Sequence, residues 1–258
     1  MTNETTLAFD IETVPDVAGG RRLLGLEILD DRAVADAMMQ KRVQERGNEF
    51  QPHYLQRVVA ISCVLRSSDG FRVWSLGKPE SDERDLIARF FEGIERYKPT
   101  LVSWNGSGFD LPVLHYRALF HGINASAYWD TGQGDREFKY NNYLKRYEFR
   151  HTDLMDVLAG YNGRASAPLD EIAQMLGLPG KMGMHGSEVW PAFLEGRIAD
   201  IRNYCETDAL NTYLIYLHFQ RMRGLLDGKE LEDEEAIVHR ALDAAPHLKA
   251  FADAWVAR

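Results

Sequence analysis

Asp10 and Glu12 stand two residues apart in Leu7-Ala8-Phe9-Asp10-Ile11-Glu12-Thr13. In a strand successive side chains alternate faces, so the two carboxylates share one face while Phe9 and Ile11 share the other. Neighbouring like charges raise a carboxyl pKa, and burial adds to the rise. A cluster kept ionised near neutral pH therefore needs positive charge among its members, and a divalent metal is the candidate. Two further acidic contexts supply partners: Asp110 in Asn105-Gly106-Ser107-Gly108-Phe109-Asp110, and Asp208 in Tyr204-Cys205-Glu206-Thr207-Asp208. Each has an ordinary account when taken alone. Alternating charge suits a solvent-facing strand edge, and Asp110 at a helix start stabilises the helix dipole. Tyr204 and Asp208 are one helical turn apart, on neighbouring points of one face. A helix here buries Ile198, Ile201, Cys205, Ala209, Thr212 and Tyr216, with Asp208 inside the margin of that stripe and Tyr204 at its edge. Taken together, the three contexts are far more specific than any one of them.

The elements that must carry these residues follow from periodicity and turn chemistry. Residues 6–13 read as a strand. A long excursion over 14–56 follows, with a helix expected around 30–46. The apolar β-rich run 58–65, the turn Ser67-Ser68-Asp69-Gly70 and a second strand over 71–76 form a hairpin. Ser81, Arg84 and Asp85 open a helix whose Leu86, Ile87, Phe90, Phe91 and Ile94 recur at helical spacing, with Pro99 to end it. A strand over 100–104 leads through the glycine turn into a helix over 109–121, closed by Gly122. Segment 124–150 is polar, aromatic and basic. A brief strand over 151–153 precedes helical patterns at 154–160, 168–177, 188–195, 197–220 and 232–257. This order implies an α/β fold, with a mixed sheet of about five strands and helices on both faces. The expected organisation is a main domain over 1–225, with 14–56 as an insertion, and a C-terminal helical extension over 226–258 packed on it.

Composition narrows the function class. The 258-residue chain has a formal net charge of −9, which argues against coating nucleic acid by electrostatics alone. An enzyme that engages a few phosphates through metals remains compatible with it. No stretch approaches the roughly 20 apolar residues of a membrane span, and the start Met-Thr-Asn-Glu-Thr-Thr has neither a basic nor an apolar leader region. A cytoplasmic protein is expected. Cys63 and Cys205 are the only cysteines and give no zinc spacing, so both are read as reduced, packed thiols.

The three motifs resemble those of the DEDD superfamily of 3′–5′ exonucleases, in the branch resembling the proofreading exonuclease of family B DNA polymerases. Phe9-Asp10-Ile11-Glu12-Thr13 is similar to the first exonuclease motif, Asn105 to Pro112 to the second, and Tyr204 to Asp208 to the third. The resemblance covers about residues 6–220. Asn203 and Tyr204 place the chain in the Tyr subtype, and it most resembles stand-alone bacterial PolB-like predicted exonucleases. The resemblance implies a ribonuclease-H-like fold and a metal-dependent hydrolysis of phosphodiester bonds at 3′ ends, releasing nucleoside 5′-monophosphates. Asp10, Glu12 and Asp208 would hold one Mg²⁺ or Mn²⁺, and Asp10 with Asp110 a second. Tyr204 would orient the attacking water. Thr13, Val14, Asn105 and Phe109 would contact the strand. Single-stranded nucleic acid is the expected partner, DNA before RNA. An exoribonuclease, or a non-catalytic nucleic-acid-binding module of the same fold, is the alternative.

Two other features carry readings of their own. Arg136, Lys139, Lys145, Arg146 and Arg150 interleave with Tyr140, Tyr143, Tyr147 and Phe149, the composition of a base-stacking surface and equally that of a packed loop. Asp153 suits a helix cap or a supporting place beside the site, and Lys181 a phosphate contact or plain exposure.

Overall fold

The first motif lies in the central strand of a five-stranded sheet in the computed structural model, which describes residues 5–255. In chain order the elements are β1 (Thr6–Pro15), α1 (Val17–Leu24), α2 (Asp31–Arg46), β2 (Gln56–Ser67), β3 (Gly70–Ser75), α3 (Glu83–Tyr97), β4 (Thr100–Ser103), α4 (Asp110–His121), α5 (Ser126–Trp129), β5 (His151–Asp153), α6 (Leu154–Leu158), α7 (Leu169–Met175), α8 (Val189–Leu194), α9 (Ile198–Met222), α10 (Gly228–Asp243) and α11 (Lys249–Ala254). The sheet order is β3-β2-β1-β4-β5. The β3-β2-β1 side is antiparallel and the β1-β4-β5 side parallel, so the expected mixed α/β architecture is present.

Alternation along β1 divides the core. Leu7, Phe9 and Ile11 enter a cluster with Phe90, Ile94, Val113 and Leu114 from α3 and α4. Ala8 belongs to a second cluster with Leu210 and Leu214 of α9 and Leu231, Val238 and Leu242 of α10. Asp10 and Glu12 have the parity of Ala8 and so face the α9 side. Phe90 is almost wholly buried and meets Phe9 ring to ring at 4.9 Å. Truncating it to Ala would cost about 3–5 kcal/mol.

The strand paired with the motif strand has a built-in irregularity. Pairing of β1 with β2 runs in register to Glu12↔Ala60, then shifts so that Thr13 opposes Val58. The extra residue is Val59 of β2, so alternation along β1 continues through Thr13 and Val14; bulges recur next to functional sites.

Three expectations needed revision. The 14–56 excursion holds two helices rather than one, because Asp16 caps α1 by accepting from the Gly19 amide. Helix α9 has no exposed face in its middle: every residue from Tyr204 to Leu217 is buried, since α7, α8 and α10 cover the sides that the sheet leaves free. A single buried stripe therefore understates its burial. The last helical pattern breaks at Pro246, where a 3₁₀ turn over Pro246–Leu248 separates α10 from α11. Proline lacks the amide that would continue the helix. The pattern's final residues, 256 and 257, lie outside the described residues. Among the described residues no helix is long and apolar enough to cross a membrane.

Candidate metal centre

Asp10, Glu12 and Asp208 each present a carboxylate oxygen, and these oxygens lie within 4.8 Å of one another. Strand β1 supplies the first two and α9 the third. The Cys205 thiol donates to the Asp10 carbonyl at 3.3 Å, which ties helix to strand beside the cluster. Asp110 joins from the first turn of α4, where its Oδ1 accepts from the Ile11 amide at 3.2 Å, between the two β1 carboxylates. All four acids named from the sequence thus meet at one end of the sheet.

Their electrostatics are those of an uncompensated cluster. Burial first, then repulsion from Asp110, Glu12 and Asp208, holds the Asp10 carboxyl well above its ordinary value. Glu12 is likewise raised, by burial and then by Asp208 and Asp110. Burial pushes Asp110 up to about 7 and Asp208 up to about 6. Asp208 Oδ1 is buried without a hydrogen-bond partner. An orphaned carboxylate oxygen costs free energy unless something positive meets it. Hard oxygen donors clustered this closely fit a divalent ion of the Mg²⁺ or Mn²⁺ type.

The residues around the cluster have separable tasks. Tyr204 is buried, and burial together with Asp208, Glu12 and Asp10 drives its phenol upward, so it stays a neutral O–H near neutral pH. Lys181 is the one cation, among the described residues, whose charge pulls Glu12 and Asp208 back down. Its Nζ stands 5.7 Å from the centre of the Tyr204 ring. The loop that presents it is pinned twice: the Lys181 amide donates to Asp170 Oδ1 at 2.7 Å, and Asn211 Nδ2 donates to the Gly180 carbonyl at 2.8 Å. Gly180 has a φ of 67°, and a Cβ there would run into the Asp170 carboxylate. The sequence offered Lys181 only as an isolated cation after a glycine, with nothing to show that the loop folds back over α9.

The second motif is held by Asp153, which accepts from the Asn105 amide at 2.9 Å and the Ser107 amide at 2.8 Å and also caps α6. Both readings of Asp153 are met at once. Asn105 takes a left-handed φ of 64° in this turn. Phe109 is half-buried and packs on Phe50 at 5.4 Å and on His53 at 5.8 Å, while the His53 Nε2–H donates to the Gly108 carbonyl at 2.9 Å. The Thr13 hydroxyl donates to Gln56 Oε1 at 2.9 Å. Val14 is buried in an apolar cluster with Tyr204, Cys205 and Val189, so its side chain faces the core. Cavities of about 490 and 330 Å³ open elsewhere, and none of the four carboxylates lines either.

The basic aromatic segment 136–150 is largely occupied with its own packing. Phe138 and Tyr143 are buried, Arg150 lies over both rings, and Arg146 is paired with Asp156 at 2.9 Å. Of its exposed rings, Tyr140 lies under Lys139 and Tyr147 meets Tyr161 edge-on at 4.8 Å.

Comparison with known proteins gives the geometry a family. Residues 48–255 match the family described as a predicted 3′–5′ exonuclease related to the exonuclease domain of PolB. The matched span begins after β1, so Asp10 and Glu12 precede it. The chain is 27% identical over 148 residues to the catalytic subunit of DNA polymerase epsilon from Kluyveromyces lactis, and 30% identical over 145 residues to that from Aspergillus fumigatus. Each match covers 54% of this chain and 6% of the polymerase. A DNA polymerase of Archaeoglobus fulgidus is 27% identical over 137 residues, covering 52% of this chain and 17% of the relative. The chain thus spans a small part of the curated relatives' length, and it belongs to the family of 3′–5′ exonucleases related to the exonuclease domain of PolB.

Proposed function

We propose that this member of the PolB-related exonuclease family removes nucleotides one at a time from the 3′ ends of single-stranded nucleic acid, DNA before RNA, releasing nucleoside 5′-monophosphates. The observation that carries the reading is the convergence of Asp10, Glu12, Asp110 and Asp208, on which, among the described residues, Lys181 is the one cation that acts. Asp10, Glu12 and Asp208 would hold one Mg²⁺ or Mn²⁺, and Asp10 with Asp110 a second. Such ions, when bound, offset the charge of the scissile phosphate and make water a better nucleophile.

The chain's own residues would do the rest. Tyr204, kept neutral by its surroundings, can hold the attacking water through its hydroxyl without taking the proton. Lys181 brings an ammonium to a site otherwise negative and would neutralise a phosphate oxygen. With the Thr13 hydroxyl engaged by Gln56 and Val14 turned into the core, these two residues would meet the terminal nucleotide through their backbone. Asn105 and the Phe109 ring would flank the preceding nucleotide. Residues 1–225 would form the catalytic unit. The 226–258 extension would brace α9, since Leu231, Val238 and Leu242 share its hydrophobic cluster.

The test is a panel of 5′-labelled single- and double-stranded DNA and RNA with Mg²⁺, Mn²⁺ or a chelator. A ladder descending from the 3′ end, abolished by chelation, is expected. Early internal fragments, or equal cleavage in chelator, would overturn the reading.

A further inference from the structure

The 14–56 insertion ends in a segment that the site does not explain. Phe50 packs on Phe109 and is 55% exposed, and Tyr54, four residues on, is 42% exposed. Tyr54 meets Tyr116 edge-on at 6.1 Å, and Tyr116 (44% exposed) meets Phe120 (55% exposed) at 6.4 Å. Four half-exposed rings therefore lie along α4 in two groups: Phe50 on Phe109, the residue next to Asp110, and Tyr54 with Tyr116 and Phe120 farther out, the short chain 50–54 joining them. Tyr116 and Phe120 lie six and ten residues beyond Asp110, or about 9 and 15 Å along a helix axis. The segment is fixed to the second motif by the His53 bond to Gly108, so rings and carboxylates keep a constant relation.

Large rings left half in water have an energetic cost, and several of them gathered along one helix suit a binding surface. Nucleobases match this one. Every base has a π-face, stacking on exposed aromatics tolerates any sequence, and it needs no positive field from a chain whose net charge is −9. At the roughly 3.4 Å spacing of stacked nucleotides, 15 Å takes about four. The innermost ring, Phe50, also packs on Phe109, where a strand leaving the carboxylates would pass.

We infer that Phe50, Tyr54, Tyr116 and Phe120 form a stacking track that holds about four nucleotides of single-stranded nucleic acid upstream of the scissile bond. The inference rests on the exonuclease reading for its direction along the strand, but the track binds without chemistry and can be tested without it. Stacking also sets its character: affinity rises with strand length up to the end of the track, then levels, and depends only weakly on salt.

The experiment measures fluorescence anisotropy of 5′-fluorescein oligo(dT) of two, four, six and ten nucleotides on the full chain in chelator, where nothing is cleaved. Tyr116→Ala and Phe120→Ala should each weaken binding of the six- and ten-mers about tenfold, the order of one base–aromatic stack. They should leave the dimer unchanged. Tyr116→Phe should restore wild-type affinity, since the ring and not the hydroxyl carries the contact. Leu119→Ala, an exposed aliphatic neighbour, should have no effect. Unchanged ten-mer binding in both Ala variants, equal loss at every length, or failure of Tyr116→Phe to rescue overturns the track. Binding of a protein partner that the ring variants abolish while oligonucleotide affinity stays intact also overturns it. If the length-dependent losses appear but no labelled strand is ever shortened with metal, the track stands and the exonuclease reading falls.

Discussion

Past Glu12, the same strand leads to a second group of buried acids, which meets its electrostatics differently. Asp16 and Glu83 close on Arg117: Arg117 Nε and Nη2 bind the two oxygens of Glu83 at 2.7 and 2.5 Å, and Nη1 binds Asp16 Oδ2 at 2.5 Å. His121 and the Val58 amide take up the remaining capacity of Glu83 at 2.8 and 2.7 Å. Upstream on the strand, the carboxyls of Asp10 and Glu12 are raised by burial and then by their neighbours Asp110 and Asp208, and among the described residues Lys181 is the one cation that acts on Glu12. The fold is able to place an arginine against a buried carboxylate and does so at one end of β1. Its omission in the middle of the strand, where Asp10 and Glu12 lie, leaves a group suited to a counter-charge from outside the chain.

Removing one charge from each group should change stability in opposite directions. Asp10→Asn should lower turnover by several orders of magnitude, because it removes a ligand shared by both proposed ions. It should also raise the Tm of the metal-free protein, since a repulsive charge is gone. Arg117→Ala should act in the opposite way on stability, costing about 3–5 kcal/mol by stranding two buried carboxylates. Denaturant unfolding in chelator measures both. Destabilisation by Asp10→Asn in chelator would mean that the first cluster is internally compensated after all.

Titration sharpens the same contrast. A carboxyl with a higher pKa in the folded chain than in the unfolded chain binds its proton more tightly when folded. Its contribution is therefore complete below about pH 4 and is lost as pH rises through the folded value. With Asp208 near 6 and Asp110 near 7, the Tm of metal-free protein should fall between about pH 4 and pH 7 and level off above. Saturating Mn²⁺ should abolish or reverse that fall, as an ion bound only by the folded state stabilises it. A flat metal-free profile would contradict the uncompensated cluster.

Within the site, Tyr204→Phe should reduce turnover by roughly 10²–10⁴-fold while leaving metal-induced stabilisation intact. Asp208→Asn should weaken that stabilisation. Equal metal-binding defects in the two variants would merge the roles kept apart above.

The sequence makes the acidic group legible and hides the arginine group, and the reason is distance along the chain. Alternation in β1 and one turn of α9 bring Asp10, Glu12, Tyr204 and Asp208 to shared faces by local rules alone, and five strands follow from the same periodicities. Arg117 pairs with Asp16 and Glu83 across 101 and 34 positions, and no local rule links them. Lys181 reaches Tyr204 only after a left-handed glycine turns its loop, and Val14 packs on Tyr204 and Cys205 of α9, far away along the chain. Composition alone leaves 136–150 open between a base-stacking surface and a packed loop, and the fold spends Phe138, Tyr143, Arg146 and Arg150 on packing and pairing.

That segment gives the smallest expected effect. Arg146 holds Asp156 through two of its nitrogens with its side chain half exposed, and an ion pair in such water-rich surroundings contributes about 0–1 kcal/mol. If it served the substrate instead, Arg146→Ala would raise the KM for long strands and flatten its salt dependence, because each lost phosphate contact releases fewer counterions. Its guanidinium already has a carboxylate and lies over the Tyr161 ring at 5.4 Å, so no phosphate needs to complete its coordination. The expected outcome is a KM within twofold of wild type at every strand length and salt concentration, alongside a small loss of stability. A selective rise in KM for the ten-mer over the dimer would return 136–150 to the strand's path and would require the substrate to leave the carboxylates along β5 rather than along α4.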